Sequence, residues 1–150
     1  MRKILLVFLI FILSSCGYSS IYKNSENKDL MIVIEGMNGD KEINELIKNQ
    51  LKIYSSKNSL NTFYVSFDTN FQKNIISKNS SGKISKYQIY IKTEFTINYK
   101  EKTFNEYLVE RFNIKNISDP FEQDNYEKTI KNNLVASIRE KLILKLLNFR

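Results

Sequence analysis

Lys86-Tyr87-Gln88-Ile89-Tyr90-Ile91-Lys92-Thr93-Glu94-Phe95-Thr96-Ile97-Asn98-Tyr99 is the stretch that decides the fold. Tyr87, Ile89, Ile91, Thr93, Phe95, Ile97 and Tyr99 share one side of an extended chain. Lys86, Gln88, Tyr90, Lys92, Glu94, Thr96 and Asn98 share the other. Period two kept up this long predicts a long antiparallel strand with one face buried and one face wet. Upstream, Phe63, Val65 and Phe67 alternate with Tyr64 and Ser66, a second half-buried strand over Thr62–Asp68. Its pattern then runs irregularly through Phe71, Ile75 and Ile76, until Asn79-Ser80-Ser81-Gly82 turns the chain. Downstream, Lys100-Glu101-Lys102-Thr103 turns into a strand around Phe104–Ile114. Its weaker alternation predicts a bulge or a second covered surface.

Two helices complete the pattern. Leu30–Glu35 is a short apolar run closed by Gly36 and reads as a buried strand. Asp40 then offers helix-start chemistry, and Ile43, Leu46, Ile47, Leu51 and Tyr54 fall on one face of a helix over Asp40–Ser55. Asp119-Pro120-Phe121-Glu122 is a capping box with Pro at the first helical position. Tyr126, Ile130, Leu134, Ile138, Leu142 and Leu146 then recur every four residues, one long amphipathic helix running to the C-terminus. Its polar face carries both signs, Glu127, Lys131, Glu140 and Lys141 among them, which suits packing on a sheet better than lying on a membrane. The order is β-α-β-β-β-α. The predicted fold is a two-layer α+β domain, a mainly antiparallel four-stranded sheet covered on one face by two helices.

Composition narrows the chemistry. The 150 residues suffice for one domain; the net charge is +7, with 42% hydrophobic and 26% charged residues, a globular balance. There is no His, and Cys16 is the only Cys. Ser/His and Cys/His catalysis, His-ligated zinc, internal disulfides and multi-thiolate sites are thereby excluded. Neither a G-x-G-x-x-G nor a P-loop occurs. Glu106 and Glu110 could be spaced as a glycosidase pair, but nothing else in the sequence supports a sugar-cleaving cleft, so they read as strand-surface charges. The basic balance comes from 19 Lys against 4 Arg with acids interspersed, which argues against a nucleic-acid partner. The sequence points to no enzyme, no metal and no cofactor.

The N-terminus reads as an address. Met1-Arg2-Lys3 is a short positive region, and Ile4–Leu13 is an unbroken apolar run. As a helix it would span about 15 Å, half a bilayer core, which fits an export signal and not a membrane anchor. Leu13-Ser14-Ser15-Cys16 follows, similar to the lipobox of bacterial lipoproteins, with small residues for a peptidase cleft and a thiol that takes a diacylglyceryl group. The expectation is a leader over 1–15, a lipidated tether over 16–29 and a single domain over 30–150. With a further N-acyl chain, three chains at Cys16 would make the anchoring essentially permanent. Gly17 after the Cys, in place of Asp, resembles the sorting pattern for the outer membrane.

With these elements in place, the chain resembles the LPS-assembly lipoprotein LptE family, especially its alphaproteobacterial members. Cys16-Gly17-Tyr18-Ser19-Ser20-Ile21-Tyr22 is similar to that family's C-G-[FY]-x-P-L-Y opening, with Ser20 in place of Pro. Ser85 to Ile97 is similar to its T-R-Y-x-L-x-x-x-A-x-Y-x-L strand, with Lys86 for the Arg and Thr93 for the Ala. The element order matches too. The resemblance implies a lipoprotein at the periplasmic face of the outer membrane that plugs and helps assemble the LptD β-barrel. It further implies contact with lipopolysaccharide on its way to the outer leaflet. Lys83, Lys86 and Lys92 are the candidate lipopolysaccharide contacts, with Lys86 matching the family's Arg. Each of the three equally suits an ordinary solvated or edge-guarding lysine. A lipoprotein serving another assembly or secretion machine, of pilotin or barrel-assembly type and without lipopolysaccharide binding, is the alternative.

Overall fold

The computed structural model describes residues 30–55 and 59–149. The expected leader, Cys16 and the tether over 16–29 lie outside the described residues. Strand β1 (Leu30–Gly39) leads through helix α1 (Lys41–Leu51) and a 3₁₀ turn (Lys52–Tyr54) to β2 (Asn61–Lys78). Strands β3 (Ile84–Tyr99) and β4 (Lys102–Lys115) follow, and helix α2 (Pro120–Asn148) ends the fold. The sheet order is β1-β2-β3-β4. The β-α-β-β-β-α order and the two-layer α+β class are as the sequence predicts.

The decisive stretch behaves as its alternation requires. Ile89, Ile91, Thr93, Phe95, Ile97 and Tyr99 are all buried, facing the helices from the centre of the sheet. Phe63, Val65 and Phe67 join them from β2, and Ile130, Leu134, Val135, Ile138, Leu142, Ile143 and Leu146 close the core from α2. Asp119 caps α2 by accepting from the Glu122 N–H at 2.9 Å, and Asp40 caps α1 from the Ile43 N–H at the same distance. Helices α1 and α2 run parallel, linked by Lys131–Glu42 at 2.7 Å and by the Arg139 guanidinium donating to Gln50 Oε1 at 2.7 Å.

Thr93 is the anomaly in this core. It is fully buried, and its hydroxyl has no hydrogen-bond partner. A buried hydroxyl without a partner costs about 1–3 kcal/mol, and Val has nearly the same shape. Thr93→Val is therefore expected to raise stability by about 1 kcal/mol, read as a higher urea midpoint. An unchanged or lower midpoint would mean that the hydroxyl is satisfied after all.

β1 and β2 pair in parallel, and the crossover that such a pair needs is α1. β1 also runs on to Gly39 past the expected end at Glu35, because Glu35 forms a bulge between Ile34 and Gly36 that keeps Met37 facing the core. The junction to α1 is fastened by polar groups. Asp40 N–H donates to Thr69 O at 3.1 Å, and the buried Thr69 hydroxyl donates to Asn44 Oδ1 at 2.7 Å. Asn44 in turn donates to the Asn38 carbonyl at 3.0 Å.

Of the two readings of β4, a bulge or a second covered surface, the bulge is absent. The strand pairs with β3 from Lys102 to Lys115 without any register shift. Its alternation is weak because it is an edge strand whose helix-facing side includes Glu106 and Glu110. These acids are half-buried and meet α2 through Lys145–Glu106 at 3.1 Å and Lys141–Glu110 at 2.6 Å, with Ser137 also donating to Glu110 at 2.7 Å. The β3–β4 turn is tight and strained: Lys100 and Glu101 both take positive φ, 46° and 63°, the backbone that Asn-Gly provides cheaply. Replacing Lys100-Glu101 with Asn-Gly is expected to add about 1–2 kcal/mol to unfolding, checked by chemical denaturation.

Candidate functional site: a basic tip and an open sheet face

β2 contains 18 residues, so at 3.2–3.4 Å per residue the sheet is roughly 55 Å long. β1 ends against Thr69, and the last half of β2 continues beyond it with β3 and β4. The start of β1, where any tether over 16–29 must join, pairs with Asn61 at one end of this length. The β2–β3 turn forms the other end. That turn is held by Asn79, whose side-chain oxygen accepts from the Ser81 and Lys83 N–H groups at 3.1 and 2.9 Å, with Gly82 at φ 78°.

The structure brings Lys83 and Lys86 together at this tip and adds two lysines that sequence reasoning missed. Lys78 ends β2 beside the turn, and Lys115 lies directly across from Lys86 on β4. Like charges directly opposite on a sheet are unfavourable, so this arrangement breaks a local rule. All four are exposed, and none forms an ion pair among the described residues. Lys73, nearer the body, is taken up by Glu127. A signal for Lys115 was present: the two-residue turn fixes the β3–β4 register, and following it back from Tyr99–Lys102 leads to the Lys86–Lys115 pair. Lys78 had no such signal, because β2 has register shifts on either side of Ser77. The tip can gather phosphates or other anions by charge, without the bidentate geometry that Arg would give.

Lys92 stands apart. Six residues along β3 put it roughly 20 Å from Lys86. Its ammonium is 2.5 Å from Glu94 and lies over the Tyr107 ring at 5.5 Å. The hydrogen bond and the charge of Glu94 hold Lys92 above the ordinary lysine pKa. The helix-free face around it is polar apart from the exposed Val109 directly across from Lys92: Gln88 donates to Asn113 at 3.1 Å and Thr96 to Asn105 at 3.2 Å, with Tyr64 and Tyr107 exposed. Asp68, Asn70, Gln72, Tyr90, Lys92 and Glu94 line an open groove of about 340 Å³ on this face. Among the described residues no cluster of three or more acidic or thiol groups could hold a metal ion, and no helix is long and apolar enough to cross a membrane.

No protein-family model matches the sequence, and no curated protein matches it. Solved structures do. Rare lipoprotein B from Shewanella oneidensis superposes with a TM-score of 0.56 at 9% identity, over 77% of this chain and 96% of that one. A protein from Caulobacter crescentus CB15 assigned as a lipoprotein gives 0.58 at 11% identity, over 77% and 88%. This chain shares the fold of both. An uncharacterized lipoprotein B from Nitrosomonas europaea gives 0.50 at 7% identity, over 81% and 86%. At these identities the likeness establishes the architecture alone, one that these bacterial lipoproteins share.

Proposed function

We propose that this chain is a non-enzymatic lipoprotein of LptE type, anchored through Cys16 at the periplasmic face of the outer membrane. There it plugs and assembles an LptD-type β-barrel and contacts lipopolysaccharide. The observation that carries the reading is the lysine tip at the far end of a roughly 55 Å sheet from the start of β1. A bilayer with its headgroups is about 40–45 Å thick. A body tethered at the inner leaflet and held upright in a barrel lumen would therefore present its tip at the level of the outer leaflet. Lipopolysaccharide phosphates gather there, and cations with no protein partner suit them. The part of the open face nearer the start of β1, outside the groove and bearing the exposed Tyr64, suits the polar inner wall of such a barrel. Lys83 and Lys86 are the principal contacts in this reading, with Lys78 and Lys115 beside them. Lys92, already engaged by Glu94, contributes less.

Affinity purification of the lipid-anchored chain from mild-detergent extracts tests the partner. A large outer-membrane barrel should co-purify in stoichiometric amount; recovery of a secretin, or of no barrel, would overturn the reading. Lys83→Glu with Lys86→Glu should weaken lipopolysaccharide binding about 10–100-fold, with the loss greatest at low salt. Lys92→Glu should cost less. Equal binding by the double variant would remove the tip from the contact.

A further inference from the structure

We infer that the groove on the open sheet face is an oligosaccharide-binding site, separate from the basic tip. One wall is Asp68, Asn70 and Gln72 on β2, and the other is Glu94, Lys92 and Tyr90 on β3. They face each other in register as Asp68–Glu94, Asn70–Lys92 and Gln72–Tyr90. The lining holds two carboxylates against one ammonium, and Arg111 stands across from Tyr90 on the same face, so the site is close to charge-balanced and lacks the cluster of unpaired cations that marks the tip. No aliphatic side chain lines it, so an acyl chain gains nothing there. The Lys92 ammonium, 2.5 Å from Glu94, already occupies that carboxylate and leaves Asp68 without a cation.

What remains is a dense set of acceptors and donors beside one aromatic ring. Carboxylates only accept, an ammonium only donates, and amides do both. A sugar hydroxyl donates and accepts at once, so neighbouring hydroxyls can bridge such unlike groups, while the C–H face of a sugar ring packs on a phenol ring. The amides are already aligned for this: Asn74 donates to Gln72 at 3.4 Å and Gln72 to Asn70 at 3.0 Å, a row with further donors to offer. Asp68 lies directly across from Glu94, an unfavourable pairing of like charges. Lys92 offsets Glu94 alone, and Asp68 has no cationic partner among the described residues. Hydroxyl donors from a sugar would answer that unpaired carboxylate.

Tyr90 is four residues from Lys86 on the same face, roughly 13 Å along the strand. A glycolipid whose phosphates reach the tip could thus lay its sugar chain along the groove. That source of the saccharide rests on the proposed function; the chemistry of the groove does not.

The test is nuclear magnetic resonance of the ¹⁵N-labelled, lipid-anchored chain in detergent, titrated separately with phosphate-free core oligosaccharide and with lipid A. The oligosaccharide at millimolar concentration should shift the amide signals of Asp68, Asn70, Tyr90 and Lys92 and leave Lys83 and Lys86 unmoved. Tyr90→Ala and Asp68→Asn should each raise its Kd about fivefold or more. Lys83→Glu with Lys86→Glu should leave it unchanged. The mapping on the unaltered chain stands even if a variant folds poorly. No shift, or shifts confined to other surfaces, would overturn the inference. Lipid A binding at the tip with no oligosaccharide in the groove would sink this site and spare the proposed function. The converse would spare the site and sink the tip contact.

Discussion

Gly39→Ala is expected to remove about 4 kcal/mol of stability or more, a large part of what a domain of this size has. Gly39 sits at φ +89°, and a Cβ there would lie 1.9 Å from the Thr69 carbonyl oxygen, 2.7 Å from its nitrogen and 2.8 Å from its carbonyl carbon. These are backbone atoms of the neighbouring strand, so no side chain can swing aside to make room. Relief would require opening the Gly39–Thr69 contact, which also holds Asp40 N–H and the buried Asn44–Thr69 hydrogen bond. The start of α1 would lose its attachment at the same moment. Gly82 is the control: its φ is +78°, but a Cβ there meets nothing within 4 Å. Gly82→Ala should therefore cost only the left-handed backbone term, about 1–2 kcal/mol. Urea unfolding of the two variants measures the difference directly. Equal losses would show that the contact with Thr69 is not as close as described.

Phe63→Ala is expected to cost about 3–5 kcal/mol. Phe63 is completely buried at the base of the sheet, and its ring stacks on Tyr99 with centroids 4.2 Å apart and 17° between planes. Truncation leaves a cavity between strands whose backbones are fixed by hydrogen bonds, so the hole cannot readily collapse. It also strips the Tyr99 ring of its stacking partner. Tyr99→Phe separates the two contributions, because it keeps the ring and deletes only the hydroxyl that donates to Asn61 Oδ1 at 2.6 Å. That variant should lose about 1 kcal/mol. A loss below 1 kcal/mol for Phe63→Ala would mean that this end of the core is loosely packed.

How much of this was readable beforehand depended on what each pattern encodes. The β3 alternation and the four-residue ladder of α2 record a buried face directly, so both elements and their core residues were legible. Strand direction leaves no trace in alternation. The parallel pairing of β1 with β2 was hinted at only by the helix between them, which a parallel crossover needs and a hairpin does not. β4 looked irregular because Glu106 and Glu110 face inward, and nothing local shows that lysines from a helix thirty residues on will meet them. The same holds for the sites. Lys86 was visible as a charge on a wet face, but its neighbour Lys115 needed the register set by a turn. The groove needed Asp68 to be placed across from Glu94, a pairing between strands that no single segment contains.

β2 outruns β1 by nearly half its length, and from Asn70 onward one of its two edges has no strand beside it among the described residues. A bare strand edge with the exposed Ile75 and Ile76 is what another chain would zip onto. The register shifts around Ser77 interrupt the regular spacing of the backbone donors there, and Lys73 and Lys78 set charges on either side of the two isoleucines. Irregularity and charge in that strand are features that blunt an exposed edge against edge-to-edge pairing of copies of the chain.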